Sequence, residues 1–148
     1  MNNPGLSLIA LRTDTAWHET LGSCLAAGNA WAKKAPVLGF AVAKAAFSQN
    51  NHPNRVAVYD TGAAMMSLTI QAIEMDSHVH QMAGFDLNLA RQVAGIPEGF
   101  DPVAMFALGH LGDPDSLNPD QKARELAPRT RKPRSELVFG SQWSHAVL

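Results

Sequence analysis

The feature that most constrains the fold is a long helical pattern of apolar residues between Val56 and Met75. Two apolar stripes run side by side along this segment, each with steps that alternate between three and four residues. The first stripe comprises Tyr59, Ala63, Met66, Ile70 and Ile73, and the second comprises Met65, Leu68, Ala72 and Met75. A helix that is apolar over most of its circumference is usually buried on several sides. We therefore expect one face to pack on its own chain and the extra face to lie at a subunit interface.

Size and composition predict a single globular domain over residues 1–148. The chain is 46% hydrophobic and 17% charged, and its net charge of -1 gives no argument for nucleic-acid binding from overall basicity. No apolar run approaches the roughly 20 residues that a membrane span needs. The single Cys24 excludes an internal disulfide. These features, with no secretory signal pattern at the start, predict a cytoplasmic protein with no membrane contact.

The rest of the chain alternates between strand and helix patterns. Apolar runs predict strands, and capping residues such as Asp86, with glycines such as Gly95, predict the ends of helices. The predicted strands are 6–11, 37–47, 77–81 and 102–108. The predicted helices are one after Thr15 that Gly28-Asn29 closes, a turn at 30–34, the long helix 56–75, and two short ones at 85–93 and 119–126.

Two groups of side chains suggest chemistry but have simpler explanations. His78 and His80 lie on one side of a predicted strand, and His110 would be a third imidazole for zinc. No carboxylate or cysteine has matching ligand spacing, so surface or hydrogen-bonded histidines are favoured. Cys24 falls on an apolar helix face, which favours packing over a nucleophilic thiol. The chain also contains neither a phosphate-binding loop nor a dinucleotide-binding glycine motif.

Basic residues are concentrated near the C-terminus. Six of the twelve lysines and arginines are Lys122, Arg124, Arg129, Arg131, Lys132 and Arg134. A solvated surface, a nucleic-acid patch and a compact phosphate site are all compatible with this cluster. No aromatic residues interleave with the charges, which disfavours base stacking. Composition alone leaves the alternatives open.

Five segments in order resemble the nitroreductase family of flavin enzymes, and the resemblance covers nearly the whole chain. The most specific is 94–104, which leads into Ala107-Leu108-Gly109. The others are Gly28-Asn29 with Trp31 and Ala35-Pro36, Tyr59-Asp60-Thr61-Gly62, Gly84-Phe85-Asp86, and 129–133 followed by 136–138.

The resemblance implies an α+β fold, with an antiparallel sheet flanked by helices, in an intertwined homodimer. It also implies FMN bound at the subunit interface, and hydride transfer from NAD(P)H to nitroaromatic, quinone or similar small-molecule acceptors. The C-terminal tail, 129–148, would pack on the partner subunit, and nucleic acid would not be a partner. No side-chain acid or base need be invoked, so no catalytic residue is named. The implied FMN contacts are Asn29 at the pyrimidine edge, Gln81, Met82, Ala83 and Gly84 beside the ring with a backbone N–H for N5, and Arg129 and Arg131 at the phosphate.

The chain departs from the family at its N-terminus. Family members begin with helices that carry an Arg-Arg-Ser-like phosphate grip, whereas here Asn2-Asn3-Pro4-Gly5 resembles the end of that region. The resemblance therefore implies a shortened member without the usual N-terminal helices. A catalytically weak or silent relative that binds flavin or serves as a partner subunit is the alternative function.

Overall fold

The computed structural model describes the backbone of residues 6–11 and 15–146, and side chains from residue 16 to residue 146. The chain divides into two compact units, residues 1–111 and 112–148. The first unit contains the sheet, and the described part of the second contains one short α-helix, two 3-10 helices and the C-terminal tail. A single domain over residues 1–148 stays a prediction.

The first unit is built on a four-stranded antiparallel sheet. Its strands are β1 (Leu6–Leu11), β2 (Val37–Lys44), β3 (His78–Met82) and β4 (Phe100–Gly109). The strand order is β1-β2-β4-β3, so β1 and β3 are the edges. The sheet, together with the helices, confirms the α+β class. Strand β2 ends before the predicted Phe47, because the Phe47 N–H donates to the carbonyl of His52 and bends the chain into a turn.

The helices of the first unit are α1 (Thr15–Ser23), α2 (Ala57–Glu74) and α3 (Leu87–Ala94). A 3-10 helix spans Ala27–Lys34. The predicted closure of a helix at Gly28-Asn29 is wrong: α1 already ends at Ser23, and both residues lie inside the 3-10 helix. The contacts of this segment with β3 and Gly84 determine its conformation, and no local sequence pattern reveals them. The caps of α3 are as predicted, since Asp86 accepts from two backbone N–H groups and Gly95 is left-handed with φ of 60°.

Two clusters of buried side chains cover the two faces of the sheet. On one face, Leu38, Phe40 and Val42 of β2 pack with residues of α1, the 3-10 helix and α3. On the other face, Ala41 packs with Met65 of α2 and with Phe106 of β4. The alternation along β2 is the period of two that a strand imposes on its side chains.

Helix α2 buries one of its two apolar stripes and exposes the other. Met65 and Ala72 are buried, although Met75, at the end of the same stripe, is exposed. In the first stripe, Tyr59 is 78% exposed, Met66 is 55%, and Ile70 and Ile73 are each 58%. The predicted extra apolar face is therefore present on α2, and none of the described residues of this chain covers it.

The second unit contains α4 (Pro119–Glu125) and an exposed tail. The rings of Phe139 and Trp143 lie 4.9 Å apart within the tail, and Trp143 is exposed. In the described part of the chain, no helix is both long enough and apolar enough to cross a membrane.

Candidate functional site

The 3-10 helix and the turn after β3 meet at Gly84. The carboxamide of Asn29 donates from Nδ2 to the Gly84 carbonyl at 2.9 Å, and the backbone N–H of Ala26 donates to the same carbonyl at 3.1 Å. A further backbone bond runs from the Asp86 N–H to the Cys24 carbonyl at 2.8 Å. Two segments far apart in sequence are thus joined by main-chain and side-chain bonds. The structure therefore brings together two of the elements that the sequence singled out.

Glycine at position 84 permits this contact. A Cβ atom there would lie 2.8 Å from Nδ2 of Asn29 and 3.6 Å from Cβ of Ala26. The first distance is shorter than any ordinary contact, so a larger residue would displace the Asn29 side chain. The absent side chain leaves the backbone of the turn and the Asn29 amide side by side.

The residues before Gly84 present different groups to their surroundings. Met82 is only 4% exposed and belongs to the core, so its backbone alone is available to a ligand. Gln81 and Ala83 are exposed. Because strand side chains alternate, Gln81 lies on the opposite face of the sheet from Met82. The four predicted residues 81–84 therefore form one continuous backbone stretch, but their side chains do not share one surface.

An aromatic pair lies next to this contact. The rings of Trp31 and His80 are 4.8 Å apart and nearly perpendicular, at 86°. Trp31 follows Asn29 in the 3-10 helix, and His80 precedes Gln81 in β3. The sequence favoured a surface or hydrogen-bonded His80 over a metal ligand, and it did not predict this pair. No local pattern could have revealed it, since the two residues lie on different elements.

The thiol of Cys24, whose backbone carbonyl accepts from Asp86, is buried. Cys24 is 1% exposed, and burial raises the pKa of its thiol, with the carboxylate of Asp86 adding to the rise and a hydrogen bond from Ser23 opposing it. A neutral thiol in the core has the packing role that the sequence predicted, and the structure gives it no feature of a nucleophile.

The predicted arginines lie in the second unit. Arg129 and Arg131 are both exposed, and Arg131 donates from Nη1 to the carbonyl of the neighbouring Thr130 at 2.9 Å. Lys122 and Lys132 of the same cluster pair with Asp115 and Glu136, at 2.6 and 3.8 Å. Among the described residues, neither Arg129 nor Arg131 has a carboxylate within 4.0 Å. Within residues 16–146, neither guanidinium charge is therefore paired with a carboxylate.

The histidines do not assemble into a metal site. The N–H at Nδ1 of His110 donates to the Asp76 carbonyl at 2.6 Å. His78 pairs with Gly109, the last residue of β4, and His110 follows the end of that strand. Across the described side chains, no group of three or more histidines, cysteines or acidic residues could hold a metal ion.

Comparisons with known proteins agree with one another. The model of the nitroreductase family matches residues 7–110. The uncharacterized 15.4 kDa protein in the ask 5′ region of Mycolicibacterium smegmatis is 35% identical over 129 residues, which are 86% of this chain and 85% of that protein.

Solved structures share the fold. A crystal structure described as an oxidoreductase containing FMN matches with a TM-score of 0.87 and 28% identity, over 95% of this chain and 73% of that chain. A nitroreductase family protein from Clostridium difficile 630 matches with a TM-score of 0.66 and 15% identity, over 93% of this chain and 74% of that chain.

Proposed function

The chain belongs to the nitroreductase family, and from that premise we propose that it is an FMN-dependent oxidoreductase that transfers hydride from NAD(P)H to nitroaromatic, quinone or similar acceptors. The observation that carries the proposal is the bond between Asn29 and Gly84, which joins the two elements that the family resemblance assigns to the flavin ring. A solved structure 28% identical to this chain is an oxidoreductase containing FMN, which supports the choice of cofactor.

The groups at Gly84 fit a flat, polar heterocycle. A flavin ring needs backbone close to its edge and amide groups at its pyrimidine oxygens and nitrogens. Because Gly84 has no Cβ, the Asn29 amide can lie directly against the backbone of the turn, only 2.8 Å from where a Cβ would stand. The turn thus combines absence of side-chain bulk with hydrogen-bonding groups. These groups support the proposal of a flavin at this turn.

Asn29 would bind the pyrimidine edge. Its Nδ2 already donates one hydrogen to Gly84, and this bond fixes the plane of the carboxamide. The remaining amide hydrogen and Oδ1 then have a set direction, so a ligand meets groups that are oriented before it binds. Preorganisation of this kind lowers the cost of ordering the site on binding.

The backbone of residues 81–84 would lie beside the ring and offer an N–H to its N5 position. Met82 contributes through its main chain, because its side chain is buried in the core. Gln81 and Met82 belong to β3, and the Gly84 carbonyl accepts two hydrogen bonds, so this stretch is anchored at both ends. A rigid donor keeps its position when charge develops on the ring during reduction.

Arg129 and Arg131 would hold the FMN phosphate. Guanidinium groups bind phosphate through two parallel N–H donors, and these two arginines have no carboxylate partner among the described residues. The adjacent Lys132 is paired with Glu136 and is less suited to this role. Of the three interpretations of the basic cluster, we therefore favour the phosphate site for these two arginines.

We include a homodimer in the proposal. The exposed stripe on α2 supports it, because soluble monomers rarely expose contiguous apolar patches of more than a few hundred Å². In this assembly the stripe would face a second copy of the chain, and the tail 129–148 would pack on that partner. A cytoplasmic location is also proposed, which suits the lone, reduced Cys24.

FMN, when bound, would supply the redox chemistry by accepting a hydride and passing it on. The chain's own residues would bind the cofactor, orient it and keep one face of its ring open to nicotinamide and acceptor in turn. Neither Asn29 nor the backbone of residues 81–84 titrates, so the proposal places no proton-transfer step on a side chain.

Anaerobic addition of NADH or NADPH to the FMN-loaded protein tests the proposal. We expect the visible absorbance of bound FMN to bleach and to return when a quinone or nitroaromatic compound is added. Asn29→Ala and the double variant R129A/R131A should weaken FMN binding, the latter at least about a hundredfold, because each of the two charge-assisted hydrogen bonds contributes about 1.5–3 kcal/mol.

Arg124→Ala is the matched control for the arginine variants. Arg124 is an exposed arginine of α4 and lies outside the proposed phosphate pair, so its loss should leave FMN binding unchanged. Wild-type affinity in both test variants would refute the assigned contacts. FMN binding without bleaching by either nicotinamide would favour the alternative of a catalytically silent flavin-binding or partner subunit.

A further inference from the structure

The 3-10 helix that carries Asn29 is unusual in its length. It spans eight residues, Ala27–Lys34, whereas such helices rarely run beyond three or four because their hydrogen-bond geometry is poor. Its N-cap residue, Ala26, makes no side-chain capping bond. The position of this helix must therefore depend on contacts with the rest of the first unit.

Contacts at the two ends of the helix are of different kinds. Towards its C-terminal end, Ala32 is fully buried, and the imidazole of His18 donates from Nε2 to the Ala35 carbonyl at 2.7 Å. At its N-terminal end, the bonds from Ala26 and Asn29 converge on the single carbonyl of Gly84. The segment between these anchors is short.

Between these two anchors, the 3-10 helix contacts β3 through the rings of Trp31 and His80. The perpendicular arrangement at 4.8 Å is the edge-to-face geometry that aromatic rings prefer. Trp31 also packs against the core cluster, whereas His80 is exposed on β3. The backbone of His80 is fixed by its pairing with Ala107 of β4. His80 therefore has a fixed position, and the Trp31 ring of the 3-10 helix packs against it.

We propose that His80 is a positioning residue for the flavin site: its edge-to-face contact with Trp31 holds the 3-10 helix, and with it the carboxamide of Asn29, in the orientation that binds the pyrimidine edge. The inference rests on the proposed function. Only one residue separates Asn29 from Trp31 along the helix, so a shift of the Trp31 ring moves the Asn29 backbone. The bond from Asn29 to Gly84 is then lengthened or lost.

The experiment compares three variants of the full chain. His80→Ala removes the ring, and His80→Phe keeps a planar ring without the imidazole nitrogens. His78→Ala is the matched control, because His78 is an exposed histidine on the same face of the same strand. FMN affinity is measured by quenching of flavin fluorescence. In a W17F/W143F background, which leaves Trp31 as the single tryptophan, its emission is recorded without FMN.

We expect His80→Ala to weaken FMN binding about two- to tenfold, the range that loss of one aromatic pair allows. Trp31 emission in the same variant should shift to longer wavelength as the ring becomes more exposed. His80→Phe should restore both to within about twofold of the wild type, and His78→Ala should change neither. Rescue by phenylalanine distinguishes the ring contact from a hydrogen bond of the imidazole.

Two results would overturn the inference while leaving the proposed function intact. One is wild-type FMN affinity in His80→Ala, and the other is a His80→Phe variant that binds as weakly as His80→Ala. A wild-type protein that fails to bind FMN would overturn the proposed function itself, and this inference with it.

Discussion

Replacing Gly84 by alanine probes the contact on which the site is built. The new methyl group would lie 2.8 Å from Nδ2 of Asn29, so the Asn29 side chain must rotate away and its bond to the Gly84 carbonyl is lost. The backbone itself tolerates alanine, since the described glycines with positive φ are Gly95 and Gly99. The atom that must move is the end of a flexible side chain. We therefore expect the fold to persist.

The effects on stability and on cofactor binding should separate. A neutral hydrogen bond contributes about 0.5–1.5 kcal/mol to folding, and its loss opposes the roughly 0.4–1 kcal/mol that a compatible glycine-to-alanine change gains from the unfolded chain. The free energy of unfolding should thus change by less than about 1 kcal/mol. FMN affinity should fall about two- to tenfold, because the displaced Asn29 no longer presents its amide.

The assay is an FMN titration combined with urea unfolding of the apoprotein. Gly28→Ala is the matched control. Gly28 lies in the 3-10 helix that carries Asn29, and a Cβ there would meet no atom within 4 Å. In an Asn29→Ala background, Gly84→Ala should have no further effect on FMN affinity, since the two changes act through one contact. Full additivity of the two substitutions, or unchanged affinity in Gly84→Ala, would refute the reasoning.

Three further predictions concern the scaffold. Burial raises the pKa of the Cys24 thiol above its ordinary value, so the folded state retains this proton at a pH where the unfolded chain loses it. The free energy of unfolding should therefore fall as the pH rises through the ordinary thiol range. Native protein at pH 8 should resist a thiol reagent that labels the urea-unfolded chain at once, and rapid native labelling would contradict this. Asp86→Ala should lower the free energy of unfolding by about 0.5–2 kcal/mol in urea titrations, because the carboxylate caps α3 at 2.9 and 3.0 Å, whereas Asp86→Asn should be nearly neutral. An unchanged midpoint in Asp86→Ala would count against the cap. Ile70→Lys on the exposed stripe of α2 should keep the fold by circular dichroism but yield a monomer by sedimentation velocity, and a sedimentation coefficient equal to that of the wild type would argue against this face as the subunit interface.

Elements with local signals were predictable from the sequence. The aspartate at 86 and the glycine at 95 bracket α3 because capping acts within one turn of the chain. The periodicity of residues 56–75 located α2 to within one residue at each end. It also predicted an extra apolar face on α2, because a sheet packed on one side of the helix can bury only one of the two apolar stripes.

Elements that depend on distant contacts were not predictable. Gly28-Asn29 resembles a helix end, yet the segment forms a 3-10 helix because the core and Gly84 hold it there. The contact between Asn29 and Gly84 left no trace in spacing, and only the family resemblance brought these residues together in advance. The pairing of Trp31 with His80 had no signal of either kind.

The most direct test of the central claim is a titration of FMN with the purified full chain, followed by flavin fluorescence. The account predicts saturable quenching that reaches completion near one FMN per chain and is weakened by Asn29→Ala. Flavin fluorescence that rises linearly with added FMN, as in buffer alone, would contradict it.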